Sequence, residues 1–180
     1  HFQLVHPELE SLTPTRDATS IRSAGWWQGG RMRICDGAET VSRSASRKGR
    51  PIIGGYGRDE REVHDFVLWP NLMISVQPDY VLMYRLNAID ESSTSVEFRV
   101  MCDATVKHQT SAIEDLVSFW TTVNQQDALI CESQQRASFT LPSFEMAFDP
   151  SCEEGVIEVQ SFVRRVYQDA AASLALASEQ

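Results

Sequence analysis

The stretch Val63-His64-Asp65-Phe66-Val67-Leu68-Trp69-Pro70-Asn71-Leu72-Met73-Ile74-Ser75-Val76-Gln77 decides the fold. It holds two runs rich in Val, Ile, Leu and Phe, Val63 to Trp69 and Leu72 to Gln77, each of strand length. Two more follow, Tyr80 to Asn87 and Thr94 to Cys102, set apart by the turn signal Gln77-Pro78-Asp79-Tyr80 and by the polar segment 87–93. Connections this short join antiparallel strands, so the spacing predicts a meander. In the last run Val96, Phe98, Val100 and Cys102 alternate with Ser95, Glu97 and Arg99, the pattern of a sheet with one covered face. The other face is left for solvent or a neighbouring subunit.

Beyond the meander the period changes. Within Ser111 to Ala137, the residues Ile113, Leu116, Trp120, Val123, Asp127, Ile130 and Gln134 recur at steps of three and four, which sets them on one stripe of an α-helix. Asp127 does not suit that stripe. A carboxylate buried there needs a base, a set of donors or a metal ion as partner; at the stripe's edge it would instead reach water. A second helix is expected from Ser151, which has capping-box spacing to Glu154, through Val156, Val159, Val163, Val166, Ala170 and Leu174. It should pack on the sheet, with Arg164 and Arg165 on a solvated face.

Ahead of the meander, residues 11–62 are rich in Ser, Thr, Gly and Arg and predict long connections with two weak strands, around Gly29 to Cys35 and Ile52 to Tyr56. The basic run Arg43 to Arg50 reads as a solvated loop, because no aromatic interleaves it for base stacking. Gly54, Gly55 and Gly57 are followed by no Lys-Ser/Thr pair, so they form no phosphate loop.

The 180 residues, 42% of them hydrophobic, suffice for one substantial core and a single domain. The net charge of −9 is uneven: residues 1–60 carry nine Lys/Arg against seven Asp/Glu, and the remainder seven against eighteen. That balance argues against nucleic acid as the main partner. Cys35, Cys102, Cys131 and Cys152 form no Cys-x-x-Cys or Cys-x-His unit and read as free thiols in a reducing compartment. With no apolar run of membrane-spanning length, the expected location is the cytoplasm, away from membranes.

His1 and His6 open the chain five residues apart, the second closed by Pro7. Such a pair reads either as surface or capping residues or, with a third partner, as metal ligands. Joined by Asp127, it has the inventory of a facial triad for mononuclear non-haem iron(II), which leaves open positions for dioxygen and substrate. His64, in a strand, and His108, in a polar connection, are read as non-ligands. A zinc hydrolase would need a unit such as His-Glu-x-x-His, which is absent.

These residues carry a resemblance. His1 to Glu10 resembles the "Y-H-x4-H-P" segment of the α subunits of Rieske non-haem iron oxygenases, the aromatic-ring-hydroxylating family. Val123-Asn124-Gln125-Gln126-Asp127 with Glu132, Gln134 and Gln135 resembles that family's "N-x-Q-D … E-x-x-Q" helix, and Trp69-Pro70-Asn71-Leu72 with Ser75 its "P-N-hydrophobic … S" strand. The resemblance implies an α+β helix-grip (START/Bet v 1-like) fold, a curved antiparallel sheet on a long C-terminal helix. It further implies an iron-binding catalytic domain over residues 1–180, the C-terminal part of a longer chain, with ferrous iron on His1, His6 and Asp127. Electrons would come from a Rieske [2Fe-2S] cluster in an N-terminal domain, fed by a ferredoxin or reductase, in a homotrimer or an α3β3 assembly.

By position relative to those ligands, Phe2, Val117, Phe119, Trp120 and Val123 are the candidates to line a substrate pocket, with Leu72, Ile74 and Met83 from the sheet; ordinary core packing is the competing explanation for each. The implied activity is mono- or dioxygenation of an apolar, aromatic substrate. The alternatives are a non-catalytic helix-grip module holding a hydrophobic ligand, and an assembly domain with no pocket beside Asp127.

Overall fold

The computed structural model describes residues 2–21, 25–54, 60–140, 148–149 and 153–178, without the side chains of Phe2 and residues 175–178. The chain forms two compact units, His1–Thr140 and Leu141–Gln180. The first holds two short helices, α1 (Phe2–Val5) and α2 (Pro7–Leu12), then strands β1 (Thr19–Ile21), β2 (Trp27–Arg33), β3 (Glu62–Leu68), β4 (Leu72–Val76), β5 (Tyr80–Ala88) and β6 (Thr94–Cys102), and the long helix α3 (Thr110–Ser138). All six strands lie in one antiparallel sheet in chain order. The second unit is helix α4 (Glu154–Ser178) with its lead-in; Ser151, the expected cap, lies outside the described residues. The architecture is α+β, a curved antiparallel sheet with a long helix, consistent with the helix-grip class.

The four expected strands and the first long helix occur within a residue or two of their predicted bounds, whereas α4 starts and ends a few residues later than expected. The segment before them is more ordered than its composition suggests. β2 realises the expected strand near Gly29, and β1 pairs along it; residues 52–54, by contrast, form no strand, and Gly55 and Tyr56 lie outside the described residues. The short helix α2 has no apolar period long enough to announce itself.

Strand parity sorts the sheet into two faces. Val63, Asp65 and Val67 of β3 share a face with Met73 and Ser75 of β4, Tyr80, Leu82 and Tyr84 of β5, and Phe98, Val100 and Cys102 of β6. This inner face meets α3, whose Leu116, Phe119, Trp120 and Val123 close the core with Leu9, Ile34, Val41, Val63, Tyr80 and Leu82. Leu72, Ile74 and Met83 pair across the opposite face, so the expectation that they line a pocket with α3 is overturned. A change of one residue in parity moves a whole strand's side chains to the other side. On that outer face, Phe66 lies over Gly29, where any Cβ would come within 2.7 Å of its ring, and meets Trp27 edge-on at 5.9 Å between centroids.

The basic run also departs from expectation. Arg50 is fully buried rather than solvated, its Nε donating to Asp79 Oδ2 at 2.6 Å, Nη1 to Ala112 O at 2.7 Å and Nη2 to Ser46 O at 3.0 Å. Thr40 donates to the other Asp79 oxygen. Next in the chain, Tyr80 donates to Val41 O and accepts from Trp120 Nε1 at 2.8 Å. Every charged atom of the pair has a partner, the condition under which a buried ion pair is tolerated. The cluster ties the 34–50 segment to the β4–β5 turn and to the first turn of α3. Lys48, Arg43 and Gly49 of the same run remain exposed, as predicted.

Candidate metal centre

His6 is fixed by the way α2 starts. Pro7 supplies a preset φ in the first helical turn, and Leu9, one step further, is buried in the core. The far end of α2 is tied down as well, by Thr13 N–H to Leu9 O at 2.7 Å and Cys35 N–H to Leu12 O at 2.8 Å. Held at both ends, the helix delivers His6 to the interior, where 1% of its surface remains accessible.

Asp127 approaches on α3, one turn beyond Val123 on the buried stripe. His6 Nε2 lies 2.9 Å from Asp127 Oδ1, and Nδ1 lies 2.7 Å from Gln126 Oε1. The imidazole is clamped between consecutive side chains of one helix. Nε2 either donates its proton to the carboxylate or, in the tautomer that donates Nδ1–H to Gln126, turns a lone pair toward it that a bound cation would share. Adjacent ligands of a six-coordinate ion, each about 2.1 Å from it, stand about 3.0 Å apart. The observed separation fits that requirement, so the donor set suits a metal.

Two corrections attach to this pair. Asp127 is not buried: 43% of its side-chain surface is accessible, against 2% for His6, because the stripe reaches the end of the core there. His1 lies outside the described residues, and among those residues no group of three His, Cys, Asp or Glu comes together. Two of the three expected ligands therefore meet. His64 stands on the outer face, with Nε2 3.5 Å from Glu62, and His108 is exposed before α3.

Neighbouring groups are organised by the same turn of α3. Tyr84 donates its hydroxyl to Asn124 Oδ1 at 3.0 Å. Burial, and after it the negative charge of Asp127, pushes that hydroxyl well above its ordinary range, so it stays a donor at any physiological pH. Asn124, Gln126 and Asp127 thus each have a partner: a sheet tyrosine and both nitrogens of one histidine. Sequence reasoning named all three in the helix motif without assigning Tyr84 or the Gln126 contact; the signal for Tyr84 was its parity with Leu82.

The candidate pocket residues fall in different places. Phe119, Trp120 and Val123 are packed in the core, Trp120 edge-on to Phe119 at 5.4 Å with its N–H spent on Tyr80. Val117 is 42% exposed and borders an open groove with Arg43, Lys48 and Ile113, which Asp127 does not line. The Phe2 side chain lies outside the described residues. From the sheet, the inner-face residue that reaches the site is Tyr84.

Among the described residues, no helix is long and apolar enough to cross a membrane. A comparison with curated proteins gives no match. Among solved structures, the chain is similar to a quaternary ammonium Rieske monooxygenase studied for carnitine oxidation by gut microbiota and for inter-subunit electron transfer. The two share 17% identity at a TM-score of 0.54, over 76% of this chain and 33% of that one. This chain thus spans about a third of that protein's length, and the likeness speaks for the fold. The family model for the ring hydroxylating alpha subunit (catalytic domain) matches residues 1–169, and the chain belongs to that family.

Proposed function

We propose that this chain is the iron-holding catalytic domain of a Rieske-type oxygenase, with ferrous iron on His1, His6 and Asp127, and that it oxidises an organic substrate with substantial apolar surface. The observation that carries the reading is the pairing of His6 Nε2 with Asp127 Oδ1 at 2.9 Å while Gln126 takes up Nδ1. A histidine ligand is normally fixed through its second nitrogen, which sets both ring orientation and tautomer.

In this reading His6 and Asp127 supply adjacent donors, and His1 the third. Gln126 holds the imidazole plane against rotation, and Asn124 holds the Tyr84 hydroxyl beside the site. The inner sheet face, with Leu82, Phe98 and Val100, provides an apolar wall that excludes water. Phe2, next to His1 in sequence, is the candidate to touch the substrate; Phe119, Trp120 and Val123 support the wall from the core. Bound iron supplies dioxygen activation, with electrons delivered by a Rieske [2Fe-2S] cluster in another part of the full-length protein.

Iron content tests the reading. The full-length protein with its Rieske cluster should hold one mononuclear iron per chain beyond the cluster, and Asp127→Ala should lose it while keeping the cluster and the fold. Equal mononuclear iron in both proteins would sink the assignment. A protein free of such iron, with a hydrophobic ligand bound against the inner sheet face, would establish the binding module instead.

A further inference from the structure

Along its length α3 meets two different kinds of surface. Its Leu116, Trp120 and Val123 close the core against the inner sheet face, where Tyr80 and Leu82 of β5 are buried. Further along β5 that cover ends. Met73, which pairs with Tyr84, is 41% accessible, and Val96, which pairs with Leu86, is 56% accessible. Tyr84 stands at the boundary, its ring 5.0 Å from that of Phe98, with an open apolar stretch of the same face beside it.

The α3 side chain that meets this boundary is Asn124, one helical turn before Asp127 and therefore on the same side of the helix. Its Oδ1 accepts from the Tyr84 hydroxyl at 3.0 Å. Proton bookkeeping fixes which way the carboxamide faces. The phenol keeps its proton, because burial pushes the hydroxyl well above its ordinary range. It has no second acceptor among the described residues, so it donates to Asn124, and the amide oxygen must face it. The amide nitrogen is thereby turned away from Tyr84. Among the described residues it meets no acceptor, and it is not sealed from solvent. Holding Tyr84 uses the oxygen alone. The two N–H groups are left over, one turn from the His6–Asp127 pair.

We infer that Asn124, its carboxamide oriented by the Tyr84 hydroxyl, is a specificity-determining residue whose amide N–H donates to an acceptor oxygen of a molecule lying on the open end of the inner sheet face. The assignment rests on the oxygenase reading for the chemistry done at that place. It adds a neutral polar anchor to an otherwise apolar bed, the combination that sets a ligand's orientation rather than its bulk. A molecule anchored there presents a fixed part of its skeleton toward Asp127.

The test uses the full-length, iron-loaded protein and two flat probes of one outline, acetophenone and α-methylstyrene, which differ by a carbonyl oxygen against a methylene. In the native protein the carbonyl stretch of bound acetophenone should lie below its frequency in alkane solvent, as it does when the oxygen accepts a hydrogen bond. Asn124→Asp keeps an oxygen for Tyr84 but puts an acceptor where the donor was. It should weaken acetophenone about tenfold and leave α-methylstyrene unchanged. Comparing each probe with itself cancels their different hydration. Tyr84→Phe frees the amide to turn over and should give part of the same loss. A native carbonyl stretch at the alkane value overturns the assignment without recourse to any variant. Equal weakening of both probes by Asn124→Asp, or weakening of neither, overturns it as well. Iron measured in the same samples separates the two proposals: full mononuclear iron with an unshifted carbonyl sinks the donor alone, whereas native protein without mononuclear iron sinks the oxygenase reading.

Discussion

Two polar assemblies in the first unit are built on opposite plans. Around Arg50 and Asp79, both side chains are fully buried, and every charged atom is met by the chain itself, through Thr40, Ala112 and Ser46. Around His6 and Asp127, the histidine is equally buried, but the carboxylate keeps 43% of its side-chain surface open. Both assemblies bind distant segments to α3. The first is sealed from solvent on every charged atom, whereas the second keeps its carboxylate side chain partly open. Solvent access to a charged side chain, rather than the presence of charge, separates the structural cluster from the candidate site.

The largest effect expected from this contrast is on stability. Arg50→Met should strand the Asp79 carboxylate in the interior and cost about 3–5 kcal/mol, a large share of the 5–15 kcal/mol typical of a domain. Urea unfolding would show a much lower midpoint with little change in slope. Pairing the change with Asp79→Leu should recover much of the loss, because no charge is then left alone. A midpoint unmoved by Arg50→Met would break the comparison.

A smaller effect, on metal affinity rather than on folding, is expected at Gln126. Gln126→Leu removes the acceptor on His6 Nδ1 and should weaken iron binding about 10- to 100-fold, read by competition with a chelator, while the unfolding midpoint moves by the equivalent of about 1 kcal/mol. Gln126→Glu keeps an acceptor at the same place and should retain most of the affinity. If Leu and Glu weaken iron equally, Gln126 serves as packing and the clamp on His6 has no bearing on the metal.

The contrast also explains what was legible in the sequence. Each strand of the meander carries its own alternation and short turn, so local information sufficed and bounds fell within a residue or two. Which side of β4 and β5 faces α3 did not follow, because both faces bear apolar residues: Leu72, Ile74 and Met83 looked as suitable as Leu82 and Tyr84. Asp127 stood out because a charge interrupts an apolar helical stripe, a local misfit visible without any partner. Arg50 gave no such signal. Its burial depends on Asp79, 29 positions away, and a basic residue in a Ser-rich loop looks the same whether or not that partner arrives.

The smallest expected effect sharpens the comparison from a third assembly, intermediate between the two. Asp115, buried on the second turn of α3, accepts from Ser44 N–H at 3.1 Å and Ser44 Oγ at 2.9 Å and pairs with Lys48 Nζ at 3.2 Å. Burial acts to raise its carboxyl, but the bonds from Ser42, Ser44 and Lys48 outweigh it and hold the group below its ordinary value of 3.8. A carboxyl lower in the folded than in the unfolded chain stabilises the fold fully above the unfolded value and loses that contribution as pH falls through the folded one. The contribution should be about 1 kcal/mol, since Lys48 is itself partly solvated. These bonds also hold a loop in which Ala45 and Lys48 adopt left-handed backbone, φ 57° and 49°, a conformation that non-glycine residues favour little. Asp115→Asn should therefore flatten the stability profile between about pH 5 and pH 2, with iron affinity unchanged at neutral pH. An unaltered acid profile would mean that Lys48 and the serines gain nothing from the charge. The loop would then be held chiefly by Arg50 and Asp79, and the sealed cluster alone would organise this part of the fold.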